Sequence, residues 1–243
     1  MRLHPALALL LVLPAAAAAQ VAPATAPTFG ILGGFNSASL DGENFFDEGG
    51  ATQSRRNGFT GGVYLTLPLG ASGLAFRPEV LYSQKGVRYA STFQAPPASG
   101  VSGSLSARAD VRLSYVEAPL LLQYTVPTSG GLRPQFYAGV APALRTSCEV
   151  GIRVAGLGAT FNERADCDDL GELLEEDTPA FRRFDVGGVV GGALAFGVGG
   201  RALTVGVRYT HGFLTLTDDG DSPKNRAIGV YGSIELPFAR GRR

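Results

Sequence analysis

Residues 74–85 read LAFRPEVLYSQK, and the two faces of that stretch decide the fold. Every second residue gives an apolar row of Leu74, Phe76, Pro78, Val80 and Tyr82; Ala75, Arg77, Glu79, Leu81, Ser83 and Lys85 lie opposite. Period-2 alternation is the mark of a β-strand with two different surroundings. The informative face is the polar one, because it holds both signs of charge in mid-strand among small residues.

The same division recurs downstream. Leu203, Val205, Val207 and Tyr209 oppose Thr204, Gly206, Arg208 and Thr210. Ile228, Val230, Ile234, Leu236 and Phe238 oppose Gly229, Tyr231, Ser233 and Glu235, and Val116, Ala118, Leu120, Leu122 and Tyr124 oppose Glu117, Pro119, Leu121 and Gln123. A soluble barrel turns its apolar face inward and needs a well-charged exterior. Gly, Ala, Ser, Thr and Tyr with one or two charges make a poor exterior but a good interior. Small residues leave room there, and Arg77, Glu79, Glu117, Arg208 and Glu235 are expected to pair across it as a lumen charge network. The apolar row then faces lipid.

Eight segments carry such a pattern: 28–40, 57–67, 74–89, 109–126, 134–145, 184–197, 203–213 and 227–238. Most reach the ~9–11 residues that a tilted membrane strand needs. Short connections (70–73, 127–133, 198–202) alternate with long ones (41–56, 90–108, 146–183, 214–226), and the long ones hold 16 of the 21 acidic residues. Short turns on one side and long loops on the other are the asymmetry of outer-membrane barrels. The expectation is an all-β fold: an eight-stranded antiparallel up-and-down transmembrane β-barrel over residues 28–238.

The chain starts with MRLHPALALLLVLPAAAAAQ. A basic start, a short apolar core and an Ala-x-Ala site read as a signal peptide at 1–19, followed by a flexible lead at 20–27. The most apolar later stretch, 186–200, has 15 residues with seven glycines and is too short and too Gly-rich for a membrane helix. In an exported chain bound for the outer membrane, only a closed barrel remains as a spanning structure. Composition agrees: 45% hydrophobic residues exclude disorder, while Lys+Arg and Asp+Glu, equal at 21, give no bulk charge for nucleic acid.

Near the end, Tyr231-x-Ser233-x-x-Leu236-x-Phe238 resembles the terminal-strand signal read by the barrel insertion machinery, with a basic tail at 239–243. Four further blocks carry a family resemblance: PEVLYSQKG at 78–86, YVEAPLLLQY at 115–124, FYAGVAP at 136–142 and GVRY at 206–209. Together, in this order, they resemble the PorT-like outer-membrane β-barrel family of Gram-negative lineages. The resemblance implies an eight-stranded outer-membrane barrel and carries over no catalytic residue.

Chemistry is sparse. His211, the one histidine of the mature chain, is a candidate general base of a lipid-acting enzyme, but Gly212 and Phe213 follow it and no Ser stands two residues on. The segment from Asp166 to Asp177 half matches a calcium loop, with Leu170 where a ligand is needed; an acidic solvated loop is the simpler reading. Cys148 and Cys167, the only cysteines, are expected to form a disulfide in an oxidising compartment. Eight strands enclose a space that side chains fill, so opposite charges should plug the lumen. The function expected is that of a non-enzymatic barrel without cofactor in the cell outer membrane, set in outer-membrane lipid, with outer loops open to a protein partner. The alternatives are an outer-membrane lipid-acting enzyme or a soluble ligand-binding barrel.

Overall fold

The computed structural model describes residues 26–41, 51–94, 103–156, 158–167, 169, 182–198, 201–216 and 223–237. They form one antiparallel sheet of ten strands: β1 (Thr28–Asp41), β2 (Thr52–Pro68), β3 (Leu74–Gln94), β4 (Ser104–Glu117), β5 (Leu120–Thr125), β6 (Leu132–Gly156), β7 (Ala159–Asp166), β8 (Phe184–Val198), β9 (Arg201–Thr215) and β10 (Lys224–Pro237).

Two of the ten depart from the eight expected. The segment 109–126 is divided into β4 and β5 at Ala118-Pro119, because proline has no N–H to give to the ladder. The line of pairing is nonetheless continuous, since Glu79 N–H donates to the Pro119 carbonyl at 2.9 Å and Ala118 N–H to that of Pro142 at 2.8 Å. The second departure is a correction. Residues 146–183 were expected to form one long loop, yet β6 runs on to Gly156 and returns as β7 through a turn at Gly158, whose φ is +79°. Val150 and Ile152 alternate there with Glu149 and Arg153, so the period-2 signal is present, with charges on its outer face.

Every strand except β7 is paired on both edges: β1 with β2 and β10, β3 with β2 on one side and with β4 and β5 on the other, and β6 with β4, β5 and β8. From β8 the pairing continues through β9 to β10 and so back to β1.

The two faces differ as the alternation requires. Val80, Tyr82, Val116, Leu120, Leu122, Val205, Val207, Ile228 and Val230 are exposed on the outer face, together with Phe35, Phe59, Phe136 and Leu194. Arg77, Glu79, Glu117, Gln123, Tyr64 and Tyr231 are buried on the inner one. At the loop end, Val87, Tyr89, Leu113, Val150 and Leu216 form an apolar cluster with both cysteines.

Cys148 and Cys167 are bonded, with Cα atoms 5.4 Å apart, across the β6–β7 hairpin, and Cys167 N–H donates to the Cys148 carbonyl at 3.1 Å. The bond thus staples the hairpin from inside the apolar cluster. It closes 19 residues, worth on the order of 3 kcal/mol in the chain-entropy model. A non-reduced digest should yield one joined peptide pair through Cys148 and Cys167; labelling of both thiols in unreduced protein would contradict the pairing. The leader 1–19, Phe238 and the tail 239–243 lie outside the described residues.

Candidate functional site

The inner face is organised by tyrosines that each stand opposite a glycine. Tyr64 on β2 pairs with Gly30 on β1, Tyr137 on β6 with Gly191 on β8, and Tyr231 on β10 with Gly206 on β9. A Cβ at Gly30 or Gly191 would stand inside the neighbouring tyrosine ring, and at Gly206 it would lie 2.7 Å from Tyr231. Each ring therefore lies flat across the adjacent strand, in space that only a glycine vacates. The hydroxyls are held as well: Tyr64 donates to Ser233 Oγ and Tyr137 to the Val207 carbonyl, both at 3.0 Å.

Over these rings sits a charged cluster. Arg77 Nε lies 2.8 Å from Glu79 Oε1, and Arg208 grips the same carboxylate with two nitrogens, at 2.8 and 2.9 Å. Arg77 also donates to Gln123 Oε1 at 2.9 Å. Its guanidinium carbon is 3.8 Å from the Tyr64 ring centre; that of Arg208 is 5.3 Å from Tyr137 and 5.4 Å from Tyr231. Arg77 is 1% and Glu79 3% exposed. Burying such charges is tolerated only when they are paired and hydrogen-bonded, and two cations share one anion here, with aromatic faces taking up part of the excess.

The five expected network residues thus fall into three places. Arg77, Glu79 and Arg208 come together. Glu117 pairs with Lys85, at 2.6 Å. Glu235 accepts from Thr66 Oγ1 at 3.2 Å and, among the described residues, forms no salt bridge to either group. Closer to the loops, Asn225 Nδ2 donates to Tyr115 Oη at 3.0 Å and to Asp185 Oδ2 at 3.4 Å. A cavity of about 30 Å³ lies beside Arg208, Lys85 and Glu117, room for roughly one or two water molecules.

Tyr231, expected as part of the terminal assembly signal, is a buried member of this cluster, while Leu236 lies half-buried on β10. His211 is on the outer face of β9, stacked on Tyr209 at 6.4 Å between ring centres and edge-on to Phe213 at 6.4 Å. Among the described residues its polar neighbour is Tyr209 Oη, 3.5 Å from Nδ1. Among the described residues no serine or carboxylate engages it, so the base-and-nucleophile arrangement of the enzyme alternative does not assemble there. The half-matched calcium loop lies almost wholly outside the described residues, and among those described no group of three His, Cys, Asp or Glu is placed to hold a metal ion.

Lys85, Tyr64, Tyr137 and Gln123 were not foreseen as site residues. The available signal was parity, since Lys85 lies on the same face as Arg77 and Glu79.

A family model described as "Outer membrane protein beta-barrel domain" matches residues 19–218. Among solved structures, Neisserial surface protein A is similar at 16% identity and a TM-score of 0.44, covering 86% of this chain and 97% of that one. The outer membrane protein OprG from Pseudomonas aeruginosa is similar at 15% identity and a TM-score of 0.44, over 87% and 97%. Ail, the attachment invasion locus protein of Yersinia pestis, follows at 8% identity and a TM-score of 0.37, over 87% and 99%. No curated protein matches the chain.

Proposed function

Because the chain belongs to the family of outer membrane protein beta-barrel domains, and so resides in the outer membrane, we propose that it is a non-enzymatic, eight-staved transmembrane barrel with a plugged interior. In this reading the staves are β1, β2, β3, β4 with β5, β6, β8, β9 and β10, while β7 is an added strand of the outer hairpin. It is a structural or interaction module that presents its long loops to a partner outside the cell. Export by the leader at 1–19 and insertion through the terminal strand are parts of the same proposal. The blocks at 78–86, 115–124, 136–142 and 206–209 support a PorT-like branch of the family.

The observation that carries the plugged reading is the Arg77–Glu79–Arg208 cluster packed over three tyrosines. A conducting pore keeps its charges in water, whereas these side chains are ion-paired with one another and packed on tyrosine rings. The apolar outer face supports the lipid-facing part of the reading over a soluble ligand-binding barrel, because water offers nothing to so many exposed Val, Leu and Phe side chains.

Purified protein in planar lipid bilayers should therefore give no steady open channel. In mild detergent it should migrate faster unboiled than boiled, since a closed barrel stays folded. A reproducible conductance that changes with the Lys85–Glu117 pair would overturn the plug, and identical migration would overturn the closed barrel.

A further inference from the structure

The outer face of β3, β4, β6 and β7 changes character beyond Tyr82, Val116 and Leu144, the last exposed apolar residues on their three strands before the loop end's polar rows. Strand register stacks three rows there. The first joins Gly86, Arg112, Glu149 and Asp166; the second Arg88, Asp110, Gly151 and Arg164; the third Ala90, Arg108, Arg153 and Asn162. They border a cleft of about 570 Å³, with Ala90 and Gly151 leaving its floor low.

The charges in this cleft do not balance. Asp110 is answered twice, by Arg56 at 2.9 Å and Arg88 at 3.1 Å, and Glu149 is 3.4 Å from Arg112. That leaves Arg108, Arg153 and Arg164, all exposed, with no carboxylate in ion-pair reach among the described residues. Arg108 and Arg153 face each other directly across the β4–β6 ladder. Like charges at directly opposed positions destabilise a sheet, and a bound anion removes that repulsion. The Cys148–Cys167 bond holds β7, and with it Arg164, against β6.

Position selects the anion. The arginines continue the outer-face rows of Tyr82, Val116 and Leu144, so a component of the surrounding leaflet reaches them without leaving the membrane. At ~3.3 Å per residue on a strand tilted by roughly 40°, the Arg112 row lies roughly 10 Å and the Arg153 row roughly 20 Å beyond Leu144. Those heights belong to headgroup sugars rather than acyl chains. Guanidinium forks match phosphate oxygens in pairs. We propose that this cleft binds the phosphate-bearing sugar headgroup of an outer-leaflet glycolipid, held from the side by Arg108, Arg153 and Arg164.

The proposal rests on the lipid-facing barrel reading, and the test separates the two. The mature protein is reconstituted in phosphatidylcholine bilayers doped with a phosphorylated lipid A–core glycolipid or with the same glycolipid after dephosphorylation. Glycolipid retained per protein after extraction in mild detergent is read by native mass spectrometry. Wild type should retain the phosphorylated form and lose the dephosphorylated one. The triple variant R108E/R153E/R164E should retain ~10-fold less or lower, since each cation near an anionic surface is worth about a factor of five. R153E alone, which gives Arg108 an opposite charge and should fold at least as well, should also retain less, and R201E at the opposite end of β9 should behave as wild type. Equal retention by wild type and the inserted triple variant overturns the inference and leaves the barrel standing. Wild type that takes up soluble inositol hexakisphosphate but shows no preference for the phosphorylated lipid overturns it too. A protein that fails to insert, with no gel shift on boiling, overturns both readings.

Discussion

Replacing Glu79 by Gln is expected to lower the stability of the folded barrel by about 3–5 kcal/mol, because the change strands two buried cations at once. Arg77 and Arg208 both take their ion pair from this one carboxylate, and among the described residues neither has another. A Gln amide matches the shape of the carboxylate but offers no charge. Replacing Arg208 by Met should cost less, since Glu79 keeps Arg77 at 2.8 Å and the thioether fills the space over Tyr137 and Tyr231. Denaturant titration of the protein in lipid vesicles, followed by the unboiled gel band, measures both. An Arg208 variant that falls as far as the Glu79 variant would show that the arginine, and not the shared anion, organises the cluster.

The second large effect is steric. Gly30→Val should destabilise by about 1–3 kcal/mol, the usual cost of forcing extra atoms into a packed interior. Its new side chain would occupy the Tyr64 ring, which cannot move without leaving Arg77 at 3.8 Å and Ser233 at 3.0 Å. The discriminating measurement is a double-mutant cycle with Tyr64→Ala. Once the ring is gone the valine fits, so its cost should shrink, with a coupling of about 0.5–3 kcal/mol. If Gly30→Val costs as much without the ring as with it, the glycine serves backbone shape rather than the tyrosine.

These expectations rest on features of differing legibility. Which face a residue takes was readable, because parity along one strand is local: Arg77, Glu79, Glu117 and Arg208 all turn inward, and Val80, Val205 and Val207 outward. Which residues meet was not. Glu79 and Arg208 lie on β3 and β9, which share no ladder, and their contact depends on register and tilt accumulated through the intervening strands. Lys85 could be placed on the inner face, but its pairing with Glu117 needs the offset of β3 against β4. The tyrosine–glycine pairs depend on register in the same way. The β6–β7 hairpin is hidden in the sequence for a different reason. Charges spaced along a strand look like those of a solvated loop, although alternation continues through Val150 and Ile152.

The seam between β1 and β10 has a consequence for how the molecule is made. Thr28 stands beside Pro237, so the first and last strands complete each other's hydrogen bonding. In the closed-barrel reading, a fragment that lacks β10 leaves β1 and β9 with open edges of the kind that aggregate. Pairing between strands so far apart in sequence makes the folding search slow. The same adjacency means that a short linker joining the ends, with new termini cut into an outer loop, would preserve every stave and change only the order in which they are synthesised.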